Sequence, residues 1–130
     1  MLSRRLTTGI VFVILLLLSA CATGSRLVIL EDPTGTGFTM EFTRFSATNK
    51  CTLSLVEGDV VQVEAVHESG KMGLRVSGMK GSEPYEGNDL KTLTFTIRVS
   101  ETDDYAFWIT GHDATGKITV KNLGHKITER

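Results

Sequence analysis

From residue 26 onward, apolar and polar residues alternate along the chain. In "FTMEFTRF", Phe38, Met40 and Phe42 interleave with Thr39, Glu41 and Thr43. "KCTLSLV" repeats the pattern with Cys51, Leu53 and Leu55, and "VVQVEAVH" with Val61, Val63 and Ala65. "MGLRVSG" aligns Met72, Leu74 and Val76. "LKTLTFTIRVS" aligns Leu93, Phe95, Ile97 and Val99, and "YAFWIT" aligns Tyr105, Phe107 and Ile109. The short runs "RLVIL" and "KITVKN" open and close the series. A period of two sends successive side chains to opposite faces of an extended strand, so each run predicts a strand with one buried face. Between the runs stand "EDPTGTG", "EGD", "ESGK", "MKGSEPYEGND", "ETDD" and "GHDATG", rich in the residues that turns require. About eight short strands of this kind, with no helical period among them, predict an all-β fold. An antiparallel β-sandwich of jelly-roll type is favoured over a barrel, because each strand supplies inward side chains for a two-layer core.

The first 20 residues follow a different pattern. Arg4 and Arg5 precede the apolar run Ile10 to Leu18, and Ser19 and Ala20 follow it. Basic, apolar and then small is the order of a secretory signal helix. Nine apolar residues fall well short of the roughly 20 needed to cross a bilayer as a helix, which weakens the alternative of a permanent span.

The end of that run, Leu18-Ser19-Ala20-Cys21, resembles the lipobox of bacterial lipoproteins. The resemblance implies cleavage between Ala20 and Cys21, diacylation of the Cys21 thiol, and a mature chain that begins with the lipidated cysteine. Two acyl chains suffice for stable anchoring, since each buried methylene contributes about 0.8 kcal/mol. The resemblance further implies the outer face of a bacterial membrane. Ala22 is not the aspartate that often retains lipoproteins at the inner membrane, so an outer-membrane fate is allowed where the host has one. The domains expected are a signal peptide (1–20), the lipidated cysteine and its "ATGSR" tether (21–25), a β-sandwich (26–122) and a polar tail (123–130).

Charge narrows the partners. Loss of Arg4 and Arg5 leaves 12 of the 14 Lys and Arg against 15 Asp and Glu, a side-chain sum of about −3. A balance of that sign, with no basic cluster in the sequence, argues against nucleic acid as a partner. Acylation of Cys21 would leave Cys51 as the single free thiol. Its alternating apolar position reads as a small buried hydrophobe, with a reactive or intermolecular thiol as the alternative.

The body of the chain carries a second resemblance. "LSLVEGDVVQVEAVHESGKMGLRV" and "FTIRVSETDDYAFWITGHDATGKITV" resemble small extracellular jelly-roll modules of the GOLD and bacterial pre-peptidase C-terminal type. The likeness lies in a strand ending in "EGD", a following strand of alternating valines, and a late tyrosine-bearing strand. It implies a β-sandwich used for binding or as an accessory domain, without catalysis of its own.

Candidate chemistry is sparse. A nucleophile needs a base and an orienting group within reach, and His67, His112 and His125 lie in no recognisable catalytic motif. His67 and His125 are expected to be solvated. Zinc requires three or four ligands where "GHD" offers His112 and Asp113. Glu101, Asp103 and Asp104 could contribute to a calcium site with Asp113, but the two segments are expected as turns at opposite ends of the sandwich. No catalytic residue, metal or cofactor is therefore expected. The aromatic residues offer more. With Tyr105 and Phe107 facing the core, Trp108, the only tryptophan, points outward as a platform for sugars or an anchor for a partner protein. The alternative is that a loop, such as the one holding Tyr85, covers it. Two functions follow. One is an accessory lipoprotein that engages an envelope protein; the other is a carbohydrate-binding module that uses Trp108 and Tyr85.

Overall fold

The computed structural model describes residues 25–124; the signal segment, Cys21 with most of its tether, and the end of the tail from 125 lie outside the described residues. Seven antiparallel strands make up the fold: β1 (Arg26–Glu31), β2 (Gly37–Phe45), β3 (Thr48–Leu55), β4 (Val60–Gly78), β5 (Tyr85–Gly87), β6 (Leu93–Arg98) and β7 (Asp103–Gly124). They form two layers. The first runs β1, β2, the C-terminal half of β7, the N-terminal half of β4, then β6. The second runs β3, the N-terminal half of β7, the C-terminal half of β4, then β5. The fold is thus the expected all-β antiparallel sandwich, but its two layers share their central strands.

That sharing corrects two expected turns. "ESGK" and "GHDATG" do not reverse the chain; each lies inside a strand that continues into the other layer. The expected eight strands lose two by these fusions and gain β5, a three-residue strand within the long connection before Asn88. The corner is built from irregular backbone in three adjacent strands. The β4–β7 register slips between His67 and Lys71, and the β2–β7 register slips between Phe42 and Phe45. Extra residues of this kind bend a strand and increase its twist. Arg44 and Asp113 take positive φ, at 49° and 52°, and form an exposed ion pair at 3.5 Å. The amide of Asp113 donates to Ser46 Oγ at 2.8 Å, and that of Gly111 to the Ala47 carbonyl at 2.9 Å. β2 and β3, separated by Ser46 and Ala47, therefore cross the corner beside β7 as a nearly continuous pair.

The inward residues match the alternation. Phe38, Met40, Phe42, Val61, Val63, Ala65, Met72, Leu74, Val76, Tyr105, Phe107, Ile109, Ile118 and Val120 are all buried. Phe38 of the first layer meets Phe107 of the second edge to face, with centroids 5.7 Å apart. Burying one such ring contributes about 2–3 kcal/mol, so this pair is a main tie between the sheets. Tyr105 is buried and donates its hydroxyl to the Glu101 carbonyl at 2.6 Å. Leu93 departs from expectation. It shares the parity of Phe95 and Ile97 at the start of β6 but remains exposed.

Candidate functional site

The outer face of the second layer collects the side chains that alternate away from this core. The register sets Lys50 of β3 and Arg75 of β4 on either side of Trp108 in β7. Lys50 Nζ lies 5.2 Å from the indole ring centroid and Arg75 Cζ 5.3 Å. Both distances fall within cation–π range, where each contact is worth about 0.5–1 kcal/mol at an exposed site. Trp108 Nε1–H donates to Ser77 Oγ at 3.0 Å, which fixes the ring along the strand. Trp108 is half-buried, as its outward phase requires, but its ring is not bare. Two cations flank it.

Beside the indole lies a shallow groove of about 440 Å³. Gly73 is among its lining residues, and a Cβ there would press on the Gly87 carbonyl at 3.1 Å. Lys71, Thr48, Thr110, His112, Glu86 and Asn88 stand around the groove. The hydroxyls of Thr48 and Thr110 meet at 3.2 Å across the β3–β7 ladder. Arg75 reaches Glu83 of the loop between β4 and β5 at 3.6 Å, both side chains well exposed. The groove therefore offers cations, hydroxyls, an amide and an aromatic edge on one surface. A concavity of the same volume lies against the outer face of the first layer. It is lined by Arg26, Lys117, Glu41 and Glu68, charges of both signs without an outward aromatic ring.

Tyr85 is not part of the Trp108 site. It pairs with the buried Val76, and its ring packs on Phe95 of the other layer at 4.8 Å. The structure thus separates the two aromatics expected to act together: Trp108 faces out, and Tyr85 closes the open side of the core. The loop before Tyr85 touches the site through Glu83, which pairs with Arg75.

The remaining candidates have structural partners. His67, expected to be solvated, is half-buried, and its Nε2 lies 2.7 Å from the Gly70 carbonyl inside the β4 irregularity. His112 is exposed at the groove rim, and His125 lies outside the described residues. Asp103 accepts the Lys80 amide at 2.7 Å, and Asp104 accepts the Ser54 hydroxyl at 2.6 Å. Asp113 is a corner residue within β7 and not at a turn. It lies ten positions along the strand from Asp103, roughly 33 Å if fully extended. Among the described residues no three His, Cys, Asp or Glu side chains are grouped to hold a metal ion. Cys51 is half-buried on the inner side of β3, and burial, assisted by Glu31, pushes its thiol up.

Sequence reasoning placed Trp108 but missed Lys50, Arg75 and the groove. Lys50 and Arg75 do alternate outward in their own strands, and that signal was readable. Their meeting at Trp108 is a matter of register between three strands distant in sequence.

The sequence matches no family model and no curated protein. Among solved structures, the chain is similar to Aeromonas hydrophila PliG, a periplasmic inhibitor of g-type lysozyme, at 14% identity and a TM-score of 0.49, over 78% of this chain and 90% of that one. It is similar to a carbohydrate-binding module of the Cellvibrio mixtus lichenase 5A, in complex with cellotriose, at 12% identity and a TM-score of 0.41, over 75% and 86% of the two chains. A cupin domain from Bordetella pertussis follows at 11% identity and a TM-score of 0.37, over 75% and 92%.

Proposed function

We propose that the protein is a noncatalytic binding module, held at the outer face of a bacterial membrane through Cys21, that engages an envelope glycan with the outer face of its second layer. The observation that carries the reading is the groove beside Trp108, where hydroxyl, amide and charged groups surround an indole edge on a rigid sheet. Sugar recognition calls for that mixture, because a saccharide presents hydroxyls to be paired and ring carbons to be covered. The anchor rests on the resemblance of Leu18-Ser19-Ala20-Cys21 to a lipobox. The absence of catalysis is part of the proposal: His67 is engaged by the Gly70 carbonyl, and the groove hydroxyls of Thr48 and Thr110 pair with each other.

A second reading, an envelope protein as partner, is favoured by β1. This edge strand leaves Ile29 and Leu30 exposed, Leu30 at 57%, beside a backbone edge that pairs with no strand among the described residues. Such an edge can be extended by a strand from another chain. Capture separates the two. The full-length chain in detergent micelles is immobilised and exposed to solubilised envelope proteins and to wall fragments, in parallel with Trp108→Ala. Glycan retained by the native form and lost from Trp108→Ala is the expected result. Protein retained equally by both forms would overturn the glycan reading.

A further inference from the structure

Resting on the glycan reading, we propose that the ligand of the Trp108 groove is an acidic glycan, its carboxylates received by Arg75, Lys50 and Lys71. Three observations support this. The first is local charge. In a chain whose mature side chains sum to about −3, the groove is lined by Lys71 and Arg75 against Glu86, with Lys50 over the indole and Glu83 paired to Arg75; Asp104, on the same outer face, lies four residues from Trp108 and accepts the Ser54 hydroxyl. A concavity lined by excess charge of one sign concentrates ligands of the other.

The second is the state of the indole. A neutral sugar stacks on an open aromatic face, but two cations already lie over the ring of Trp108. The ring instead holds Lys50 and Arg75 in place. A guanidinium lying over a ring keeps its in-plane N–H donors for a carboxylate. Trp108 thereby becomes a positioning residue for the two cations.

The third is Glu83. Its carboxylate sits 3.6 Å from Arg75 Nη1 in an exposed pair, so that side of the guanidinium is already accessible to a carboxylate. An exposed pair of this kind is weak, and a ligand carboxylate can replace it at little cost. Spacing then distinguishes a polymer from a single ion. Lys50 and Arg75 flank β7 at two strand spacings, roughly 10 Å, and Lys71 lies four residues from Arg75, roughly 13 Å along β4. Between them are the Thr48 and Thr110 hydroxyls, suited to sugar hydroxyls.

The test is calorimetric titration of the full-length chain in micelles with three probes at low ionic strength. They are polygalacturonate oligomers, the same oligomers methyl-esterified, and poly-L-glutamate of similar length. Polygalacturonate should bind at least tenfold more tightly than either of the others, as charge-assisted hydrogen bonds imply. Added salt should weaken it. Arg75→Gln and Lys50→Gln should each weaken it roughly tenfold. Glu83→Gln should tighten it several-fold, a gain that misfolding could not produce. Equal binding of the esterified oligomers would overturn the acidic ligand and leave the glycan reading standing. Equal binding of poly-L-glutamate would overturn both, in favour of an acidic protein. Binding of none of the three would overturn the acidic ligand alone, since the capture of wall fragments decides the glycan reading separately.

Discussion

Gly70 and Asp113 back onto each other where β4 and β7 turn from one layer to the other. Both hold positive φ, at 75° and 52°, and a Cβ on Gly70 would run into the carbonyl of Asp113. The two positions are not equivalent. Asp tolerates the left-handed region, whereas Gly70 has in addition no space for a side chain. Gly70→Ala should therefore destabilise the domain by at least about 2 kcal/mol and lower its Tm by roughly 10 °C. Asp113→Gly, which loses only an exposed ion pair, should change stability by less than about 1 kcal/mol. Thermal melts of the two variants check the contrast; equal losses would mean that the corner does not depend on this approach.

Asp59 is the one buried charged residue of the described chain. Its Oδ2 accepts the Val56 amide at 2.8 Å and the Asn122 side-chain amide at 3.2 Å, tying the "EGD" turn to the end of β7. Asp59→Ala would leave both donors without this acceptor, at a cost of about 2–3 kcal/mol. Urea unfolding should show the loss as a lower midpoint with an unchanged slope.

Trp108 is the only tryptophan, so its fluorescence reports on the groove alone. With Lys50 and Arg75 over its ring, iodide should quench it more strongly than caesium at low ionic strength. The difference should shrink in salt and in a Lys50→Gln, Arg75→Gln double variant. Equal quenching by the two ions would contradict the cationic character of the face.

The Cys51 thiol titrates above its usual range because burial, and then Glu31, disfavour the thiolate. Native protein should react slowly with iodoacetamide at pH 8 and rapidly once unfolded in urea, as read by intact mass. The sign for stability follows. The folded state holds this proton more tightly, so the contribution is complete below about pH 8.5 and declines as pH rises past it.

How much of this was legible in the sequence differs by element. The alternation of Phe38, Met40 and Phe42, or of Val61, Val63 and Ala65, identified buried residues because burial on one face is a local property of an extended strand. Trp108 was placed outward by the same parity. Tyr85 was misplaced because β5 is three residues long, too short for a period to show, and its direction comes from pairing with Val76.

Glycine and aspartate in "ESGK" and "GHDATG" mark backbone that leaves the ordinary strand conformation, and the sequence by itself determined that much. Whether such a stretch reverses the chain or bends it is decided by what lies alongside. Here Arg44, Gly70 and Asp113 align in three adjacent strands, and the ladder continues on both sides of them. Likewise the sequence determined that Lys50, Arg75 and Trp108 face away from the core. Only the tertiary structure brought them together, because register between strands far apart in the chain is set by the packing of whole sheets, and no local pattern records it.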